Sequence, residues 1–534
     1  MKRLPVGIQT FREVIEDNHV YVDKTMFIHQ LITEGKSYFL SRPRRFGKSL
    51  LLDTIAEVFK GNKELFKGLW IYDSGYDFKC HPVVKLDMSS FETITPEVFG
   101  NSLKLHLLKE VKDENIDYND ETAPALLSAL IRGLCKKHGQ KVVVLIDEYD
   151  KPILDHITKV ELAEKSRAIV RGVYGILKSL DSYIEFIFIT GVSKFTKTSV
   201  FSSLNNMDDI TMQKKYANIC GIPVDDLETY FGDRIKEMAE SFSRYPNLSE
   251  KILEWYDGYS WDGITRLLNP FGLLSFFQAR QVKSFWYSSG SPSFLIELLK
   301  SKPESIPELG IVTISEDALD AIDVGRLETS SLLFQTGYLT VEKVLYDYDW
   351  PEYVLKIPNL EVKEAFFRHI TAGLAEKEYI FTENKYRQMR TALSEGDLKR
   401  VQAILQSLFS SIPYQLHVAA EAYYHSIFFV IMNVLGFKID AEVSTARGRI
   451  DAVLELPDKV YVFEFKYENC PQDADEETRS KTAKKALERG MEQITERGYG
   501  EKFRESGKAI HFAVFVFLGR EHIEMEASTD LSEK

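Results

Sequence analysis

Short, nearly unbroken apolar runs mark the first part of the chain. Ser37-Tyr38-Phe39-Leu40, Val83 to Asp87, Val142 to Ile146 and Ile184 to Ile189 are rich in β-branched and aromatic residues, as expected of strands covered on both faces. Between them the apolar positions recur at helical spacing, predicting helices over 95–113, 122–137 and 157–179 and a shorter amphipathic helix over Met26 to Ile32. Strands alternating with helices imply an α/β fold with a parallel, doubly covered sheet. From about residue 220 the pattern becomes mostly helical, with no comparable strand until 338–356, which suits a helical lid or a winged-helix region.

Mixed charges at helical periods fill Glu361 to Ile404, and a second boundary is expected within them. Beyond lies a second α/β unit: a helix near Ala419 to Leu435, strands at 437–443, 449–456 and 459–466, a helix over 476–497 and a strand over 509–518. Ser528 to Lys534 reads as a frayed polar tail. The expected division is 1–220 for the sheet domain, 221–360 for the lid, 361–410 for a helical linker and 411–525 for the last domain. A chain of 534 residues is too long for one core, and typical domain sizes suggest ~3 to 4 units.

Composition adds limits. Lys and Arg number 67 against 80 Asp and Glu, a net charge of -13, so any nucleic-acid contact has to come from a local basic cleft. The four cysteines form no CxxC pair, which argues against a structural zinc site and a disulfide framework and fits a reducing compartment. Lys2 and Arg3 have no apolar run behind them, so no secretory signal is expected. No apolar run reaches the length of a bilayer span, and a cytoplasmic, non-membrane protein is expected.

The chemistry begins after the first strand. Arg42-Pro43-Arg44-Arg45-Phe46-Gly47-Lys48-Ser49 runs from strand to helix and carries the second half of a phosphate loop: Gly47 for the turn, Lys48 for phosphate charge, Ser49 for Mg²⁺. The first glycine of that pattern is replaced by Arg42. Val142 to Ile146 followed by Asp147-Glu148 has the form of a Walker B strand, Asp147 serving the metal and Glu148 the attacking water; the plain alternative is a buried strand ending in solvated acids. Together the motifs point to Mg²⁺-ATP. Thr190 and Ser193, at the end of the next strand, either sense the γ-phosphate or cap a turn. Arg44 and Arg45 add positive charge around the phosphates, or form a solvated basic loop.

These segments, with Leu4-Pro5-Val6-Gly7, Tyr21-Val22-Asp23-Lys24-Thr25, Asp147-Glu148-Tyr149-Asp150 and Phe201 to Asn206, resemble the AAA-ATPase-like family of bacterial and archaeal proteins. The resemblance covers about half the chain and implies a P-loop NTPase sheet. In that family the arginine-rich loop without its first glycine is normal. It also implies that Tyr21, Asp23 and Lys24 lie near the adenine. Gly290-Ser291-Pro292-Ser293 falls where related ATPases carry a glycine and arginine of the lid, but no arginine is present.

Near the other end, Asp451 opens one strand and Glu464-Phe465-Lys466 ends the next, with a turn at Pro457-Asp458 between them. Alternation puts Glu464 and Lys466 on one face and Phe463 and Phe465 on the other. Clustered carboxylates beside a lysine suit Mg²⁺-dependent phosphodiester cleavage, although solvated charges on a hairpin look the same in isolation. The constellation resembles the PD-(D/E)xK nuclease superfamily, implying a restriction-endonuclease-like α/β domain over about the last 120 residues. By that resemblance Asp451 and Glu464 are metal ligands, Lys466 the catalytic lysine, Glu421 the outer acid, and Gln493, followed by Tyr499, the helix motif.

Three functional readings follow. ATP binding or hydrolysis regulates a Mg²⁺-dependent nuclease acting on nucleic acid, DNA before RNA. Alternatively, the ATPase switches a nucleic-acid-binding or signalling module whose nuclease fold is inactive. In the third, ATP hydrolysis is the main output and the remainder serves homo-oligomer assembly.

Overall fold

The computed structural model describes residues 1–195, 207–241, 247–286, 311–320, 328–347, 350–366, 379–409, 424, 428, 431–432, 438–445, 448–471, 474–519 and 522–529. The chain divides into two compact units, the first containing residues 1–290 and 311–361, the second containing 362–534.

In the first unit, β1 (Ser37–Ser41), β2 (Val83–Asp87), β3 (Val142–Asp147), β4 (Ile184–Gly191) and β5 (Asp208–Asp209) form a parallel sheet in the order β2-β3-β4-β1-β5. β1 and β3 are buried along their whole length, because helices cover both faces. Pro96–Asp113, Ala123–His138 and Val160–Ser179 fall where the periodicity places helices. Thr95 caps the first of these through Val98 N, and Gly139, at φ +65°, ends the second. Insertion of β4 between β1 and β3 sets Leu40 opposite Thr190 and Ile146 opposite Ile189, so the carboxyl ends of the three strands lie level.

The region after residue 220 is mostly helical, as expected: Asp226–Ser241, Leu248–Tyr256 and Pro270–Ala279 follow the two-residue strand β6 (Ile222–Pro223) and enclose β7 (Leu267–Leu268). An antiparallel sheet follows, β8 (Ile311–Ser315), β9 (Thr340–Asp347) and β10 (Trp350–Lys356), with helices Glu316–Asp320 and Thr329–Thr336 between its first two strands. Strand, two helices and a hairpin is the order of a winged helix. β8, which the periodicity does not reveal, adds five residues to the hairpin's edge.

The second unit holds a mixed sheet, β11 (Lys438–Thr445), β12 (Gly448–Glu455), β13 (Lys459–Glu468), β14 (Ala509–Leu518) and β15 (His522–Ser528), in that spatial order. Only β13 and β14 run parallel, and the helix Glu476–Glu496 makes their crossover. Its Ala483, Ala486, Gly490 and Ile494 bury against Val460, Val462 and Val514. The expected helix near 419–435 lies largely outside the described residues; Tyr424, Phe428, Ile431 and Met432 are helical and buried. β15 escapes the sequence reading because His522, Glu524 and Glu526 give it the polar look of an edge strand. Among the described residues, no helix is long and apolar enough to cross a membrane.

At the end of β4 the sheet leaves no room for a side chain. A Cβ on Gly191 would lie 2.5 Å from the Tyr149 ring and 2.8 Å from a carboxylate oxygen of Asp150, both fully buried. Gly191→Ala is expected to destabilise the protein by about 1–3 kcal/mol in a denaturant titration.

Candidate functional site

The loop between β1 and the helix Lys48–Phe59 turns through two left-handed residues, Arg45 at φ +67° and Gly47 at φ +92°. Only glycine adopts that conformation without cost, so the non-glycine Arg45 stores some strain in the loop. Among the described residues, the backbone N–H groups of Arg44, Arg45 and Gly47 meet no acceptor, and those of Lys48 and Ser49, in the first turn of the helix, have none within it. Successive free N–H groups at a helix N-terminus make an anion nest. Lys48 is buried beneath them, its ammonium donating to the carbonyl oxygens of Arg42 (2.9 Å) and Pro43 (3.1 Å).

Arg42 explains the missing glycine. Its side chain is fully buried and donates to the carbonyls of Ser41 (2.9 Å), Thr211 (2.9 Å) and Tyr216 (3.3 Å), while the guanidinium stacks 4.0 Å from the ring of Trp261. Burial lowers its pKa to about 10, against the pull of Cys220, Asp209 and Asp262, which still leaves it charged at neutral pH. Phe46 packs edge-on against Tyr259 and Trp261, extending the same anchorage.

Beside the loop, β3 ends in the acids. Asp147 is buried, accepts the Thr190 hydroxyl at 2.6 Å, and its Oδ1 also accepts the Glu148 N–H at 3.0 Å. Glu148 sits at φ +48°, a non-glycine residue in the left-handed region, and this turns it toward the cavity. Burial raises its pKa, as do Asp150 and Asp147, while Lys48 and Arg44 oppose the shift. Asp150 is fully buried and accepts from Val192 N, Ser193 N and the Ser193 hydroxyl, so burial pushes it up while these bonds hold it down. Ser193 is thus committed to Asp150, and Thr190 is bound to Asp147.

A cavity of about 330 Å³ is lined by Arg44, Arg45, Gly47, Lys48, Ser49 and Glu148, and by the N-terminal segment Pro5 to Gln9. An adjoining apolar pocket of about 100 Å³ contains Tyr21, Lys24, Phe46 and Cys220; both spaces share Pro5, Gly47, Leu50, Pro270 and Leu274. Burial lowers the pKa of the Lys24 ammonium to about 8, opposed by Asp226, Cys220 and Asp23. Asp23 lines neither space: its carboxylate accepts from Thr25 N and Oγ1 and from Trp70 N.

In the second unit, β12 and β13 pair antiparallel about the turn at Pro457-Asp458, and Asp451 Oδ2 accepts the Phe465 N–H at 2.8 Å. Glu464 is fully buried on the face toward Glu476–Glu496. Its Oε1 accepts from Lys466 Nζ (2.8 Å) and from Gln493 Nε2. Gln493 also donates to the Tyr499 hydroxyl at 3.3 Å, which Arg497 reaches at 3.1 Å. Phe463 and Phe465 project to the opposite face, where Phe428 packs against both. Alternation along β13 therefore sorts the residues as the sequence implies. Glu421 lies outside the described residues, and among those described no three His, Cys, Asp or Glu side chains form a metal-ligand group.

Residues 5–201 match the family described as predicted AAA-ATPase, and residues 419–527 match the PD-(D/E)XK nuclease superfamily. A relative from Azotobacter chroococcum mcd 1, named an uncharacterized protein in vnfD 5'region, is 36% identical over 517 residues, covering 96% of this chain and 95% of its own length. The chain belongs to the predicted AAA-ATPase family. This AAA-ATPase-like protein carries a PD-(D/E)XK nuclease superfamily domain in its second unit.

Within the AAA-ATPase-like unit, the structure brings Arg44, Arg45, Gly47, Lys48, Ser49 and Glu148 to one cavity and Tyr21 and Lys24 to its apolar neighbour. Asp147 and Thr190 form a buried pair at the adjoining strand ends. Sequence reasoning assigned no role to Phe271, whose ring lies 4.9 Å from the Arg45 guanidinium, or to Lys151 and Leu274. Phe271 and Leu274 reach the site across more than 200 positions that no local pattern bridges, whereas Lys151 directly follows the Asp147 to Asp150 motif. Arg497 was likewise missed, although it lies only two residues before the Tyr499 it holds. Phe201 to Asn206 and Gly290 to Ser293 lie outside the described residues.

Restoring the glycine in this AAA-ATPase-like loop should be harmful. Arg42→Gly strips three buried carbonyls of their donor and is expected to cost roughly 3 kcal/mol of unfolding free energy.

Proposed function

We propose that the protein binds and hydrolyses Mg²⁺-ATP in the first unit, and that its nucleotide state regulates a Mg²⁺-dependent nuclease-like site in the second, acting on DNA. The observation that carries the first half is the convergence of free loop N–H groups, buried Lys48 and Glu148 on one cavity beside an apolar pocket of the kind a purine fills. Ser49 and Asp147 have the hard oxygen donors that suit Mg²⁺, and Thr190 orients Asp147. Glu148 is the base for the attacking water, and Arg44, Arg45 and Lys48 hold the phosphates. Tyr21 and Lys24 line the base pocket, while Asp23 fixes the segment that carries them.

The second half rests on the Asp451, Glu464 and Lys466 constellation. The two carboxylates fit a divalent ion, with Glu421 as the outer acid; the ion would supply charge neutralisation at the scissile phosphate. Lys466 positions the attacking water, and Gln493 holds Glu464 in place. One observation favours the alternative, a nucleotide-switched module that grips nucleic acid without cutting it: Glu464 Oε1 already accepts from both Lys466 and Gln493, so that carboxylate oxygen is engaged without an ion.

Two experiments decide between these outcomes. Purified protein incubated with linear and circular DNA and Mg²⁺ is expected to cleave, with ATP altering the rate; Asp451→Ala should lower cleavage at least about 100-fold, and an unchanged rate refutes the nuclease assignment. For the ATPase, Glu148→Gln should retain binding and lose hydrolysis. Because burial raises the Glu148 pKa, its carboxylate takes up a proton above the ordinary glutamate range. The acid limb of the kcat profile should accordingly lie above that range, and a limb at or below pH 4.5 contradicts the role given to Glu148.

A further inference from the structure

The phosphate loop is held from a residue far away in the sequence. The indole Nε1 of Trp286 donates to the carbonyl oxygen of Arg44 at 3.0 Å. In a trans peptide the C=O and the following N–H point in opposite directions, and the chain has no cis peptide among its described residues. Fixing the Arg44 oxygen against Trp286 therefore turns the Arg45 N–H away from it. Arg44 and Arg45 line the phosphate cavity and Trp286 does not.

Trp286 is itself pinned. Glu361 Oε1 accepts the backbone N–H of Phe285 (2.7 Å) and of Trp286 (2.8 Å), and the Glu361 side chain is fully buried. Its other oxygen fits only because residue 272 is glycine, where an added Cβ would approach to 2.5 Å. Gly272 belongs to the helix Pro270–Ala279, whose Pro270, Phe271 and Leu274 line the cavity. The Trp286 ring meets Tyr338 edge-on at 5.3 Å, so its orientation is fixed on a second side. Glu361 is also the last residue of the first unit.

We propose that Trp286 is a positioning residue of the phosphate loop, its indole N–H setting the Arg44–Arg45 peptide so that the Arg45 N–H meets the incoming phosphates, with Glu361 holding Trp286 in place. The inference rests on the nucleotide reading above. It assigns to a distant tryptophan part of the shaping that glycine freedom supplies in an ordinary phosphate loop, and it ties the loop to the place where the chain leaves the first unit.

Trp286→Phe keeps an aromatic ring against Tyr338 and removes the N–H together with part of the buried indole. Titration with a fluorescent ATP analogue and Mg²⁺ should show at least about fivefold weaker binding, the loss of one hydrogen bond of ordinary strength. KM for ATP should rise in step while kcat changes less, and the smaller ring should lower the unfolding midpoint of nucleotide-free protein only modestly. Glu361→Ala should weaken binding similarly. Glu361→Gln should restore it, because burial pushes the native carboxyl up to about 7 and an amide oxygen accepts the same two bonds. Wild-type binding with unchanged affinity in Trp286→Phe overturns the positioning role alone. Should that variant not fold, equal affinity in Glu361→Ala and the wild type overturns it instead. Absence of binding by the wild type overturns the nucleotide reading and this inference together.

Discussion

A row of backbone N–H groups aimed at one point is electrostatically unfavourable until an anion arrives, so other contacts must hold the loop in shape. Here the restraint comes from several directions. Lys48 caps two loop carbonyls from within, the guanidinium of Arg42 ties the start of the loop to Ser41, Thr211 and Tyr216, and Phe46 and Arg42 lean on Tyr259 and Trp261. The sheet order brings β3 and β4 level with β1, so that Asp147, Thr190 and the Asp150 clamp on Ser193 stand beside the loop.

The periodicity of the chain made much of the fold legible. Continuous apolar runs such as Val142 to Ile146 report burial on both faces, and β3 is buried at every residue. Helix positions followed the same pattern, since amphipathic spacing directly records which side faces the sheet. The edge strands did not announce themselves: β15 alternates exposed glutamates with buried or half-buried apolar residues, and β8 is too short to stand out. Partners far apart in sequence were also invisible. Trp261 beneath Arg42 and Phe271 beside Arg45 lie more than 200 positions away, and only folding brings them there.

The site residues were legible to the extent that their chemistry is local. Gly47, Lys48 and Ser49 are contiguous, and Glu464 and Lys466 are two apart on a strand whose alternation fixes their common face. Asp23 shows the limit of motif reasoning. It sits inside a recognisable segment, yet its carboxylate caps Thr25 and anchors Trp70, a supporting role that the motif alone does not reveal. Arg42 shows the converse, since an apparent defect in a phosphate-loop pattern is a fully buried structural anchor.

Calorimetric titration of nucleotide-free protein with Mg²⁺-ATP, run in parallel on Lys48→Ala, tests the central claim most directly. The account predicts saturable binding by the wild type and its loss in the variant, with the fold of both preserved by circular dichroism. Heat of binding that is absent from the wild type, or identical in the two proteins, contradicts it.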